Sequence, residues 1–86
     1  MNILAVIVTY NRKDLLNRCI DYLESQSDKP NEIIVINNGS TDDTVKMLEE
    51  RNINYITQPN VGSAGGWKLG IDYALKKNFD ACWLID

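Results

Sequence analysis

Residues Ile3–Val8, ILAVIV, run for six positions without a polar break, and most are β-branched. A strand with one wet face alternates apolar and polar residues; this one does not, so both of its faces must be covered. That demand points to the interior of a parallel sheet with a helix layer on each side. The rest of the chain supplies the parts. Glu32–Ile36 reads as a second buried strand, Ile53–Thr57 as a third and weaker one, and Ala81–Ile85 (ACWLI) as a fourth. Between them Leu15, Leu16, Cys19, Ile20 and Leu23 recur at helical spacing, which predicts a helix over about Lys13–Gln26 with Asn11 capping its first turn. A second helix is expected to start at a Ser40 or Thr41 cap, with Asp42 and Asp43 near its positive end and Val45 and Leu48 facing inward. A third is expected over Ala64–Lys77, with Trp67, Ile71, Ala74 and Leu75 on its buried face. The order β-α-β-α-β-α-β implies right-handed crossovers and a three-layer α/β/α fold with a parallel sheet, most economically in strand order 3-2-1-4.

Composition narrows the function classes. The chain has 86 residues, one small domain at most, with 44% hydrophobic and 24% charged residues. A net charge of −3 gives no basic footprint for nucleic acid. There is no histidine, and Cys19 and Cys82 stand far apart, so a zinc cluster or a histidine triad cannot be assembled from these residues; the two thiols read as core fillers. The longest early apolar run is too short for a signal-peptide core or a membrane span, so no transmembrane segment is expected, and the two thiols, read as free, point to a reducing cytoplasm.

In a 3-2-1-4 sheet the connections after strands 1 and 4 leave on opposite sides, and ligands of open α/β sheets bind beyond the carboxyl ends of strands at such a point. The polar segments gather there: TYNR after strand 1, NNGSTDD after strand 2, QPNVGSAGG after strand 3, and Asp86 after strand 4. No glycine follows strand 1, so the dinucleotide fingerprint is absent. Several of these residues have structural readings of their own. Gly39 fits a tight turn, Ser40 to Asp42 fit a helix cap, Trp67 fits a core anchor, and Arg12 could pair with Asp14 or Asp42. For Gly62, Gly65 and Gly66, turn-making and close approach of a ligand are both open.

The four segments VTYNR, INNGSTDDT, NVGSAGGWKLGI and WLID, in this order and spacing, resemble the N-terminal motifs of the inverting family 2 glycosyltransferases of the GT-A fold, and the AGG form resembles the galactofuranosyl- and rhamnosyltransferase-like members. The resemblance spans nearly the whole chain. It implies a nucleotide-sugar donor, a UDP-sugar with dTDP-rhamnose as runner-up, a glycan or lipid-linked acceptor, and Mg²⁺ or Mn²⁺. It places Thr9, Tyr10 and Arg12 beside the nucleobase and diphosphate, Asn38 against the base, and Gly65, Gly66 and Trp67 near the donor. Asp86 would open the DxD motif, as a nucleotide contact and metal ligand. On this expectation residues 1–86 are the nucleotide-binding portion of a larger domain, truncated at that motif and inactive alone, working in the cytoplasm or at the inner face of the membrane. The competing expectation is a non-catalytic nucleotide-binding or interaction module. An apolar Ala81–Ile85 edge strand would further invite self-association.

Overall fold

In the structure, a computed structural model, residues 2–59 and 62–85 are described, with Ser63 described in its backbone alone. Its elements are β1 (Ile3–Thr9), α1 (Lys13–Ser25), β2 (Glu32–Asn37), α2 (Thr44–Glu50), β3 (Asn54–Thr57), α3 (Gly62–Lys76) and β4 (Ala81–Ile85). The strands form a parallel sheet in the order β3-β2-β1-β4, as the sequence predicts. β1 is hydrogen-bonded on both sides, Val6 lying opposite Ile34 of β2 and Leu84 of β4. Leu4 through Thr9 are all buried, which is why the run can dispense with alternation.

The pleat sorts the core into two layers. Ala5, Ile7 and Val35 meet Leu16, Ile20 and Leu23 of α1 and Met47 and Leu48 of α2 on one face. Leu4, Val6, Val8, Ile34 and Ile36 meet α3 on the other. Each fully buried aliphatic side chain contributes about 1.5–3 kcal/mol relative to exposure. Cys19 and Cys82 pack on opposite faces of the sheet, and burial pushes both thiols up from their ordinary value. Arg51, at the end of α2, pins that helix to α1 through ion pairs to Asp21 (2.8 Å) and Glu24 (2.7 Å).

α3 differs from the expected helix in its start and in its buried face. Its first residue is Gly62, and Ile71 and Leu75 are exposed (40% and 70%) where burial is expected. The row against the sheet is Gly66, Gly70 and Ala74, flanked by Trp67, Leu69 and Tyr73. Four helical residues rise about 6 Å and two strand residues about 6.6 Å. Gly66 and Gly70 therefore step in register with Val8 and Val6. A Cβ on Gly66 would lie 2.8 Å from Val8 Cγ1, and one on Gly70 only 2.3 Å from Val6 Cγ1. The helix backbone rests directly on the valines of the central strand. A hydrophobicity pattern reveals only Ala74 of this row, because Gly66 and Gly70 have no side chains to count.

In α2 the inward positions are Thr44, Met47 and Leu48, while the expected Val45 is half-buried. β4 has β1 as its only strand partner among the described residues, and its Leu84 is 45% exposed. That edge is the one the expected self-association would use.

Two outcomes follow. Gly70→Ala, although favoured by helix propensity, is expected to lose about 1–3 kcal/mol in urea unfolding through overpacking, with Val6→Ala in the same chain recovering part of it. Unchanged stability would contradict the close contact. Tyr73 donates its hydroxyl hydrogen bond to Glu32, which holds the phenol up at about 12. The folded protein thus keeps a proton that the unfolded chain releases near its ordinary pH 10. The stabilisation is complete below pH 10 and lost as pH rises through 12. Between those values the urea midpoint should fall more steeply for the unaltered protein than for Tyr73→Phe.

Candidate functional site

Thr9 ends β1, and its carbonyl accepts a hydrogen bond from the Asn38 backbone N–H at 2.9 Å, locking together the carboxyl ends of β1 and β2. Beyond it the chain turns through Asn11, whose φ of 50° is a left-handed conformation that asparagine tolerates. Asn11 is not the expected cap of α1; Arg12 holds that position without a side-chain cap bond. The Asn11 side-chain oxygen instead reaches the next loop, accepting from the N–H of Thr41 (2.7 Å) and of Asp42 (3.3 Å). The contact is returned by Asn11 N–H donating to Ser40 Oγ at 3.0 Å. Lys13 N–H donates to Asp42 Oδ2 at 3.4 Å.

The caps expected of Ser40 or Thr41 are corrected in the same way. Ser40 and Thr41 bind Asn11, and Asp43 holds the N-cap position of α2 without a side-chain bond. The start of that helix is served by Asp42, whose Oδ1 accepts from Thr44 N–H at 3.0 Å and from the Thr44 hydroxyl. The Thr44 hydroxyl bond is the main reason the Asp42 carboxyl lies below its ordinary value. The excess of polar groups in INNGSTDD thus laces two loops together.

Two buried asparagines close β2. Asn37 (1% exposed) donates from Nδ2 to Thr57 Oγ1 at 3.3 Å and accepts Ser40 N–H on Oδ1 at 3.1 Å. Gly39, at φ 77°, makes the turn between them, a backbone state that a glycine enters without strain. Asn38 (3% exposed) donates from Nδ2 to the Gly62 carbonyl at 3.1 Å, and its Oδ1 accepts from Gln58 Nε2 at 3.0 Å. One side chain therefore joins the ends of β2 and β3 and the start of α3.

A cavity of about 280 Å³ opens at the carboxyl ends of β1 and β4, beside α1. Thr9, Tyr10, Arg12, Asn38 and Gly62 supply its polar groups, and Leu15, Leu16 and Ile85 its apolar wall. This is the switch point. Arg12 is exposed there and enters no ion pair among the described residues, neither with Asp14 nor with Asp42. Of the candidate residues the cavity brings together Thr9, Tyr10, Arg12 and Asn38. Gly65, Gly66 and Trp67 lie in α3 and do not line it. Gly66 packs on Val8, and Trp67 packs with the α3-side core, where its buried Nε1 has no hydrogen-bond partner among the described residues. Asp86 lies outside the described residues, and Ile85 before it lines the cavity. Among the described residues no three acidic, cysteine or histidine side chains gather to hold a metal ion, and no helix is long and apolar enough to cross a membrane. A second cavity of about 370 Å³, around Asn31, Asn52 and Asn54, is larger but lies at the amino ends of the strands, away from the switch point.

A parallel sheet with a partly polar, partly apolar crevice at its switch point defines an α/β ligand-binding domain. Comparison with known proteins makes the class specific. The model of glycosyl transferase family 2 matches residues 4–86, and the chain belongs to that family. Its architecture is the N-terminal half of the GT-A fold. Among similar proteins, galactofuranosyltransferase GlfT1 of Mycobacterium tuberculosis is 36% identical over 99% of this chain and 30% of its own length. The GlfT1 of Mycolicibacterium smegmatis is 34% identical over 95% of this chain and 28% of its own. Glycosyltransferase GlyA of Streptococcus pneumoniae is 32% identical over 81% of this chain and 11% of its own. The chain thus spans less than a third of the length of these relatives. No solved structure matches it significantly.

The sequence reading gave Asn11 to the cap of α1 and did not single out Gln58; each instead holds another loop. The available signal for Gln58 was a glutamine directly after a strand with no helix of its own to cap. Asn11→Ala is expected to cost about 1–2 kcal/mol by loss of the inter-loop acceptor. Thermal unfolding of this variant at the unaltered midpoint would contradict that role.

Proposed function

We propose that this chain is the donor-binding part of a glycosyltransferase that transfers a sugar from a nucleotide-diphospho-sugar, a UDP-sugar, to an acceptor hydroxyl in polysaccharide or cell-envelope glycan synthesis. The observation that carries the proposal is the cavity at the switch point, which joins Thr9, Tyr10, Arg12 and Asn38 in a chain of this family. The names of the GlfT1 relatives, galactofuranosyltransferases, support a galactofuranosyl donor in preference to a rhamnosyl one.

The chemistry of the lining suits such a ligand. Tyr10 and Leu15 give a planar base apolar surface. The Asn38 amide can accept from uracil N3–H or donate to a carbonyl. Arg12, charged at any working pH, can approach the diphosphate as a fork of donors. Gly65 lies in the first turn of α3, the helix end that favours anions. Asp86 offers the hard carboxylate oxygen that Mg²⁺ or Mn²⁺ prefers, and such an ion would neutralise charge on the departing nucleoside diphosphate. The acceptor site and the carboxylate base that deprotonates the acceptor hydroxyl are assigned to other parts of the parent protein, so the 86 residues alone are expected to be inactive.

Thermal-shift titration with UDP, GDP and dTDP, with and without Mn²⁺, tests this. UDP at about 100 times its Kd should stabilise the fold by about 2.7 kcal/mol, and the other two should act less. Arg12→Ala, at an exposed position, should weaken UDP about tenfold and leave uridine unaffected, as expected of a charge-assisted phosphate contact. An equal response to all three nucleotides would contradict the assignment.

A further inference from the structure

Asn38 is nearly sealed, so the bonds that hold its amide decide which atom, oxygen or NH₂, stands at the cavity wall. A carbonyl only accepts, so the Asn38 atom 3.1 Å from the Gly62 carbonyl is the NH₂ group. The oxygen is then the atom facing Gln58 at 3.0 Å, and a bond there needs an N–H from Gln58. Gln58 is itself held by its backbone N–H, which donates to the Asn37 carbonyl at 3.0 Å. It is half-buried and does not line the cavity. Among the described residues its side chain reaches the site through Asn38.

We propose that Gln58 is a positioning residue for nucleobase selection: by donating to Asn38 Oδ1 it adds to the Gly62 carbonyl a second bond that holds the amide in one of its two orientations. The inference rests on the donor-site reading above and adds the device that sets its selectivity. Uracil and cytosine present opposite edges to such an amide. Uracil has N3–H as donor and O4 as acceptor; cytosine has N3 as acceptor and its 4-amino group as donor. A side chain that turns or frees the amide should therefore change the preference between these two bases. A change that merely loosened the loop would weaken both alike.

The experiment is titration of UDP and CDP into the unaltered protein, Gln58→Met and Gln58→Glu, with the nucleotide-free unfolding midpoint of each recorded. Methionine keeps the length and removes the donor. Glutamate at neutral pH sets an acceptor against the Asn38 oxygen. The UDP-over-CDP preference should fall about fivefold in Gln58→Met and further in Gln58→Glu, the loss of one hydrogen bond's worth of discrimination or more. In Gln58→Glu it should recover as pH is lowered from about 8 to about 5, when the introduced carboxyl regains a proton to donate, while the unaltered protein and Gln58→Met keep a flat ratio. If Gln58→Glu does not fold, Gln58→Met decides. A preference kept within twofold in the folded variants, with UDP and CDP weakened equally, would overturn the positioning role and leave the donor site standing. If the unaltered protein shows no preference between UDP and CDP, the donor-site reading falls and this inference with it.

Discussion

Everything in this fold is hung on β1. It is bonded on both edges and covered on both faces, and α3 meets it backbone to side chain because Gly66 and Gly70 leave Val8 and Val6 unobstructed. That contact settles the height of α3 above the sheet and so the place of its first residue, Gly62. It also fixes the other strands, since β2 and β4 take their register from β1. The carboxyl end of β1 becomes a fixed point from which the cavity is built.

Around that point the loops are tied by side-chain amides. Asn11 holds the β2 loop, Asn37 holds β3 through Thr57, and Asn38 holds Gln58 and Gly62. An amide offers a donor and an acceptor without charge, so it can be buried at a junction where a carboxylate would face a large desolvation cost. The charged groups stay outside: Arg12 is exposed at the rim, and Asp42 is exposed at the start of α2. The arrangement puts a neutral amide, Asn38, on the cavity wall and an exposed cation, Arg12, at its mouth, which suits a ligand with a neutral ring at one end and a diphosphate at the other.

The layer order was legible in the sequence because unbroken runs such as Ile3–Val8 and Ile33–Ile36 permit few environments, and four strands alternating with helices leave one economical strand order. The buried face of α3 was not legible. Apolar side chains mark a face only where side chains make the contact, and here glycines make it, so Ile71 and Leu75 looked inward and are exposed. The site was half legible. Position after a strand located Thr9, Tyr10, Arg12 and Asn38 on one cavity. The partners of polar loop residues were hidden, because a cap within one helix and a tie between two loops use the same residue types; Asn11, Ser40 and Asp42 show the difference.

The central claim is that the crevice at the carboxyl ends of β1 and β4 receives the nucleotide. Amide chemical shifts of the ¹⁵N-labelled protein, followed through a UDP titration, test it most directly. The account predicts saturable shifts concentrated on Thr9, Tyr10, Arg12 and Asn38. Shifts centred on the opposite cavity, at Asn31, Asn52 and Asn54, or no saturable shifts at all, would contradict it.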